Sequence, residues 1–152
     1  MVNKLDPSKI CRDPSVCSHY DNDPLCHDTG TLEGLAGMLE RAQNLEELKL
    51  LVPEGVGEGG KTRLWIGHGT GDQICDYRSA KKYYEACEVE DKEMRLYEGW
   101  YHQLHCEPGE DKVRFRRDVV KWILDRCPEV GGQSGVKAKE EDAVGAAERS
   151  KL

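Results

Sequence analysis

The hydrophobic positions in the first third of the chain recur at helical spacing. Between Leu32 and Leu45, apolar side chains follow one another at three- and four-residue steps, which predicts an amphipathic helix. Upstream of it, Asp13 followed by Pro14 is typical of a helix N-cap with proline at the first helical position. That helix should end near Tyr20, so two helices joined by loops are predicted here.

The hydrophobic pattern changes after the glycine-rich segment 52–62, which predicts a flexible loop. Leu64, Trp65 and Ile66 form a continuous apolar run that is closed by glycine, which is typical of a strand covered on both faces, as in a parallel sheet. Three further elements are predicted: a helix over 77–87, a strand over 94–97 and a helix over 113–127. The alternation of strand and helix favours the α/β class.

Composition and charge argue against several classes of protein. The 152 residues include 22 Lys and Arg against 29 Asp and Glu, a net charge of −7 without a basic stripe, so nucleic acid is not the expected partner. No apolar run approaches the ~20 residues of a membrane span, and the first residues carry no apolar signal segment, so a cytoplasmic protein is expected. Segment 128–152 has no aromatic residue and is predicted to be a disordered tail.

The cysteines predict neither disulfides nor a metal site. There are seven of them, an odd number at irregular spacing, and none forms the Cys-x-x-Cys pair that is typical of structural zinc sites. We therefore expect free thiols that are mostly buried as small hydrophobic residues, and we expect no metal or cofactor.

One glycine-rich motif suggests nucleotide binding. Residues 55–62, Gly-Val-Gly-Glu-Gly-Gly-Lys-Thr, match the spacing of a phosphate-binding loop. Such a loop must open a helix, whose N-terminus supplies part of the anion site, whereas the residues that follow here predict a strand. Glu58 also places a negative charge inside the loop. Nucleotide binding therefore stays an alternative that depends on this motif alone.

Two polar residues follow the predicted strands and could act together. Asp72 and His102 each lie just past the carboxyl end of a strand, at the edge of an α/β sheet where ligands and catalytic groups collect. An aspartate there can accept a hydrogen bond from the histidine, which fixes the imidazole tautomer and lets the histidine act as a general base. The alternative is that the two are unrelated residues of surface loops.

Sequence motifs around this pair resemble a known family. They are Arg12-Asp-Pro, Asp23-Pro-Leu, His68-Gly-Thr-Gly-Asp72, Asp91-Lys and the segment 96–108, Leu-Tyr-Glu-Gly-Trp-Tyr-His-Gln-Leu-His-Cys-Glu-Pro. Over residues 5–127 the chain resembles the monoacylglycerol lipases, in the lysophospholipase and serine aminopeptidase S33-type branch of the α/β-hydrolases. The resemblance implies that Asp72 is the acid and His102 the base of a catalytic triad, with His105 in a supporting role.

The resemblance also implies how the chain is organised. Residues 1–51 would be the end of the cap over the acyl pocket, 52–62 a glycine-rich loop, and 63–127 the carboxyl-terminal part of an α/β-hydrolase core with an incomplete sheet of two parallel strands. The intact family member would hydrolyse a monoacylglycerol or lysophospholipid ester without metal or cofactor. Peripheral contact with a membrane or lipid droplet through the cap stays open, as does the oligomeric state.

The chain departs from the family pattern at its nucleophile. In α/β-hydrolases the serine lies on a G-x-S-x-G turn before the acid and the histidine, next to the oxyanion hole. This sequence has no such turn, and Ser134 lies after the histidine, in the predicted tail. We therefore expect a carboxyl-terminal fragment of a hydrolase that is inactive alone; the alternative is a non-catalytic remnant or interaction protein. Smaller departures are Gly71, Trp100 and Cys106, where alanine, a small residue and asparagine are usual.

Overall fold

Four α-helices and one two-stranded sheet make up the described part of the chain. The computed structural model describes residues 5–26 and 29–127, so the tail predicted over 128–152 lies outside it. The elements in chain order are α1 (Pro14–Asn22), α2 (Leu32–Glu46), β1 (Arg63–Gly69), α3 (Tyr77–Ala86), β2 (Asp91–Tyr97) and α4 (Glu110–Leu124). The predicted order of helices and strands is confirmed, and so is the α/β class.

Side-chain caps decide where three of the helices begin. The carboxylate of Asp13 accepts a hydrogen bond from the N–H of Ser15 at 2.9 Å, and the hydroxyl of Thr31 accepts one from Gly34 at 3.0 Å. Asp76 caps α3 in the same way. These caps satisfy N–H groups that the first turn of a helix leaves unpaired. Both helices predicted in the first third are confirmed.

The two strands run parallel and in register, as the apolar pattern predicts. Arg63 pairs with Asp91 at the start, and Gly69 pairs with Tyr97 at the end. β2 begins three residues before the predicted strand, because its first residues are polar and give no hydrophobic signal. Tertiary contacts hold them instead: Nζ of Lys92 donates to two carbonyl oxygens at the end of α3, at 2.9 and 2.6 Å.

Helix α4 begins and ends three residues earlier than the predicted span of 113–127. Its first turn contains Glu110 and Asp111, which lie at the positive end of the helix dipole and stabilise the start of the helix. Charged residues of this kind carry no hydrophobic periodicity, so the pattern of apolar positions alone places the helix too late.

The buried core lies under the loop that follows β2. Tyr97, Trp100 and Leu104 form it, and Phe115 of α4 packs against them. The rings of Tyr97 and Trp100 stack with centroids 4.5 Å apart, while Tyr97 meets Phe115 edge-on at 5.7 Å. Trp100 is only 4% exposed, so the tryptophan that departs from the family pattern fills the core.

Several large apolar side chains remain exposed. They are found mainly on α2 (Leu32, Met38, Leu39 and Leu45) and on the last turns of α4 (Val120, Ile123 and Leu124). A sheet of two strands covers neither helix completely, so the described elements form a partial α/β fold, as predicted. Among the residues described, no helix is long and apolar enough to cross a membrane.

The glycine-rich segment leads into a strand and not into a helix. Thr62 is buried; its hydroxyl donates to the carbonyl oxygen of Pro53 at 2.7 Å, and its N–H donates to the carboxylate of Glu54 at 2.9 Å. A phosphate-binding loop needs a helix N-terminus behind it, whereas β1 begins here at Arg63. The geometry therefore argues against the nucleotide-binding alternative.

Candidate active site

The loops that follow β1 and β2 are joined by backbone hydrogen bonds. The N–H of Thr70 donates to the carbonyl oxygen of Tyr97, and the N–H of Gly71 donates to that of Trp100, each at 2.9 Å. The hydroxyl of Thr70 in turn accepts the N–H of Gly99 at 2.8 Å. Because the strands end at the same level, these bonds hold the two loops side by side at the carboxyl edge of the sheet.

Close approach of the two loops requires glycine on the β1 side. A Cβ atom on Gly69 would lie 2.2 Å from the carbonyl oxygen of Trp100 and 2.6 Å from that of Tyr101. A Cβ atom on Gly71 would lie 2.9 Å from the carbonyl oxygen of Gly99. Gly71, where the resembled family commonly has alanine, therefore matches the tight packing of these loops.

The structure brings the two predicted site residues together. Nδ1 of His102 lies 2.9 Å from Oδ2 of Asp72, across thirty residues of sequence. The second carboxylate oxygen accepts the N–H groups of Ile74 at 2.8 Å and Cys75 at 3.0 Å, which fixes the orientation of the carboxylate. The side chain of Asp72 is 2% exposed and that of His102 is 38% exposed. A buried acid thus orients a histidine that reaches the surface.

Hydrogen bonds keep the Asp72 carboxylate ionised. Burial by itself would raise its pKa, but the hydrogen bonds from the Cys75 N–H, the His102 ring and the Ile74 N–H outweigh burial and lower the pKa below its ordinary value. With Nδ1–H donated to this charge, Nε2 is the nitrogen whose lone pair can accept a proton. The pair can therefore act as a general base whose protonated form is stabilised by Asp72.

Two neighbours of the pair were not predicted as site residues. Nε2 of His68, on β1, lies 3.9 Å from Oδ2 of Asp72, and its Nδ1 lies 3.1 Å from the carbonyl oxygen of Gly69. Cys75 contacts the same carboxylate through its N–H. His68 begins the motif that ends at Asp72 and Cys75 lies three residues after it, but only the turn after β1 shows that both lie next to the Asp72 carboxylate.

One group of potential metal ligands is found among the described residues. It consists of Asp72, Cys75 and His102, whose ligand atoms lie within 4.8 Å of one another. Burial, followed by the charge of Asp72, raises the pKa of the Cys75 thiol. A protonated thiol is a poor metal ligand, and both carboxylate oxygens already accept hydrogen bonds. The donor set therefore suits proton transfer better than a resident metal ion.

His105, expected in a supporting role, lies on a different side of the loop. It is exposed on a one-turn 3₁₀-helix (Leu104–Cys106) and lines a cavity of about 350 Å³ together with residues of α4, among them Phe115 and Arg116. A larger, mainly apolar cavity of about 550 Å³ lies between α2, α3 and β1, and the site residues His68 and Cys75 form part of its wall.

Comparison with known proteins gives the chain a family. The family model described as serine aminopeptidase, S33 matches residues 1–109. Caffeoylshikimate esterase of Arabidopsis thaliana is 32% identical over 139 residues, which are 88% of this chain and 37% of that protein. Monoglyceride lipase of Homo sapiens is 28% identical over 137 residues, which are 88% of this chain and 42% of that protein.

A solved structure shares the arrangement of elements. The crystal structure of monoacylglycerol lipase from Paleococcus ferrophilus has a TM-score of 0.66 and 25% sequence identity, and the match covers 82% of this chain and 45% of that chain. This chain thus spans about two fifths of the length of the relatives that it matches. With the family match over most of its length and an aspartate–histidine pair at the edge of a parallel sheet, the chain belongs to the serine aminopeptidase S33 family of α/β-hydrolases.

Proposed function

We propose that this chain provides the acid and the base of a serine hydrolase that cleaves carboxylic esters, with monoacylglycerols as the favoured substrate class. The observation that carries the proposal is the 2.9 Å contact between Nδ1 of His102 and the buried carboxylate of Asp72. An oriented pair of this kind activates a serine hydroxyl in hydrolases of several folds. These 152 residues contain no G-x-S-x-G turn, so the proposal assigns the serine to a polypeptide segment outside them.

The proposed reaction uses one nitrogen as base and then as acid. Nε2 of His102 takes the proton of the serine hydroxyl while the serine oxygen bonds to the ester carbonyl carbon. The same proton passes to the departing alcohol as the ester C–O bond breaks, which leaves an acyl-serine. Water then gives a proton to Nε2 and attacks the acyl carbon. As the bond between the acyl carbon and the serine oxygen breaks, Nε2 returns this proton to the serine oxygen, which releases the carboxylic acid and the free serine. Asp72 stays ionised throughout and stabilises the imidazolium.

The cavity and the relatives support an acylglycerol substrate. The mainly apolar cavity between α2, α3 and β1 reaches the site residues His68 and Cys75, and its volume of about 550 Å³ suits an acyl chain. Two of the similar proteins are named monoglyceride or monoacylglycerol lipase. A third is named caffeoylshikimate esterase, so a lysophospholipid or another carboxylic ester stays an alternative within the same chemistry.

We assign residues 1–51 to the end of a cap, 52–62 to a glycine-rich loop and 63–127 to the core. The exposed apolar side chains of α2 support this assignment, because a helix face of this kind beside an apolar cavity suits contact with a lipid surface. The protein would act in the cytoplasm, at the surface of a lipid droplet or membrane.

A non-catalytic interaction protein is the second candidate. The exposed apolar side chains at the end of α4 favour it, since such patches often mark protein contacts. In that case the aspartate–histidine pair would be retained only as a structural hydrogen bond between two loops.

A chimaera with the human relative distinguishes the two candidates. Residues 5–127 replace the segment of that lipase that they match, and the remainder of the lipase supplies the serine. We expect the chimaera to react with a fluorophosphonate probe and to hydrolyse monoacylglycerol. His102→Ala should slow labelling by about a thousandfold or more, because the serine loses its base.

The matched control is His19→Ala, which exchanges an exposed histidine of α1 and should leave labelling unchanged. His105→Ala should have an effect between these two. The 152-residue chain by itself should not be labelled at any serine. A folded chimaera that is not labelled would favour the interaction protein, and one that tolerates His102→Ala would contradict the proposed base.

A further inference from the structure

A buried carboxylate holds the backbone next to His102. Glu107 is 0% exposed, although glutamate is seldom fully buried without a partner. Its Oε1 accepts the N–H of Tyr101, the residue directly before His102, at 2.6 Å. Hydrogen bonds to a charged acceptor are among the strongest that proteins make, so this contact restrains the histidine loop.

The second oxygen of the same carboxylate binds a distant part of the chain. Oε2 of Glu107 accepts Nε of Arg12 at 2.7 Å and the Arg12 backbone N–H at 3.4 Å. Arg12 also donates to Asp111 at the start of α4, and its guanidinium lies 5.6 Å from the ring centroid of Trp100. The carboxylate is therefore fixed from the side opposite to the loop.

The other side of His102 is bonded to the same distant segment. The N–H of Gln103 donates to the carbonyl oxygen of Ile10 at 2.8 Å, and Ile10 is itself 1% exposed. The residues before and after the histidine are thus both anchored, one through Glu107 and one directly. The imidazole itself is exposed and is hydrogen-bonded to Asp72, so we infer that its direction toward Asp72 depends on this backbone.

We propose that Glu107 is a positioning residue, which directs Nδ1 of His102 toward Asp72 by fixing the loop backbone between the segment Ile10–Arg12 and α4. Its consequence for turnover rests on the proposed hydrolase function, whereas its effect on the His102–Asp72 hydrogen bond does not. Glutamate is needed because its two oxygens accept N–H groups on opposite sides. Glutamine would present an NH₂ group to one of these donors, and aspartate would be too short to reach both.

The test compares Glu107→Gln and Glu107→Asp with Glu110→Gln, an exposed glutamate three residues away, in the chimaera with the human relative. The first readout is the low-field NMR signal of the Nδ1 proton between His102 and Asp72. We expect this signal to be lost or strongly broadened in Glu107→Gln, weakened in Glu107→Asp and unchanged in Glu110→Gln. A full signal in Glu107→Gln would overturn the proposal.

The second readout is turnover per active serine, counted by probe labelling, because a purely structural role would change only the number of folded molecules. We expect kcat per labelled site to fall roughly ten- to hundredfold in Glu107→Gln, the range for a misplaced catalytic group, with KM changed less than about twofold. Glu107→Asp should recover part of kcat. Unchanged kcat per site would overturn the proposal while leaving the hydrolase function intact.

Two further results separate this proposal from the function on which it partly rests. If the parent chimaera is folded but not labelled, the hydrolase function fails, and the NMR signal still decides the role of Glu107. If Glu107→Gln does not fold, Arg12→Lys replaces it, since lysine keeps the charge but cannot bind Glu107 and Asp111 together. Arg12→Lys should also weaken the Nδ1 proton signal, and an unweakened signal would overturn the proposal.

Discussion

At the scale of single residues, the site depends on two glycines, Gly69 and Gly71, as well as on Asp72 and His102. Asp72 can reach His102 because two glycines let the loops touch, and the carbonyl oxygen of Trp100 occupies the place where a Cβ on Gly69 would lie. That oxygen belongs to the backbone of the histidine loop, so it cannot move aside without moving His102.

We predict that Gly69→Ala separates the two loops. In the chimaera it should lower the free energy of unfolding by about 1–3 kcal/mol, as overpacking does, and it should slow probe labelling more than the loss of folded protein explains. Urea unfolding and labelling per folded molecule measure the two effects. Gly30→Ala is the control, because no heavy atom of the described residues, apart from Gly30 and its two chain neighbours, lies within 4 Å of the added Cβ. Equal behaviour of the two variants would contradict the prediction.

At the scale of elements, an ion pair joins the start of β2 to Arg126, two residues after the end of α4. Nε of Arg126 donates to both oxygens of Asp91, at 2.9 and 2.8 Å, and a terminal nitrogen donates at 2.6 Å. The guanidinium also lies 4.1 Å from the ring centroid of Trp122. This contact of two guanidinium nitrogens with one carboxylate, the Arg126 fork, explains why β2 starts with a polar residue. The hydrogen bonds of Arg126 also lower the pKa of Asp91.

We predict that Arg126→Lys lowers the free energy of unfolding by about 0.5–1 kcal/mol, since lysine keeps the charge but loses the fork at a partly exposed site. Lys121→Gln, in the last turn of α4 and in an exposed pair with Asp125, is the control and should change less. The pKa of Asp91 is lowered in the folded protein. The difference in the free energy of unfolding between Arg126→Lys and the unchanged protein should therefore be full above about pH 4, and it should shrink as the pH falls through the lowered pKa. A pH-independent difference in urea midpoints would contradict the role of the fork.

At the scale of the whole molecule, apolar surface exceeds what two strands can cover. Twelve large hydrophobic side chains of the described residues are exposed, with Leu124 at the end of α4 at 64%. We predict that the 152-residue chain binds the dye ANS and self-associates, and that dye binding per molecule falls in the chimaera, where further elements complete the sheet. Fluorescence and sedimentation velocity measure this, and a monodisperse monomer with a cooperative thermal transition would contradict it.

The sequence alone predicted the elements that depend on neighbouring residues. Apolar periodicity and the cap at Asp13 act within one helical turn, so both early helices were predicted correctly. The apolar run of β1 indicated a parallel sheet, and the motifs after the strands pointed to Asp72 and His102 as one pair. Their contact required only that two parallel strands end together, which the register confirms; their catalytic roles stay a prediction.

Tertiary structure decided what depends on contacts between distant residues. The polar start of β2 is held by the contact of Lys92 with the end of α3 and by that of Asp91 with Arg126, after α4. No local sequence pattern predicts these contacts. The burial of Glu107 and its bond to Arg12 join positions 95 residues apart. Hydrophobic periodicity shows only which face of an element is apolar. A buried charge is tolerated only where folding brings its partners close to it, and periodicity does not show where that happens. The histidine could therefore be found from the sequence, and the groups that hold it in place could not.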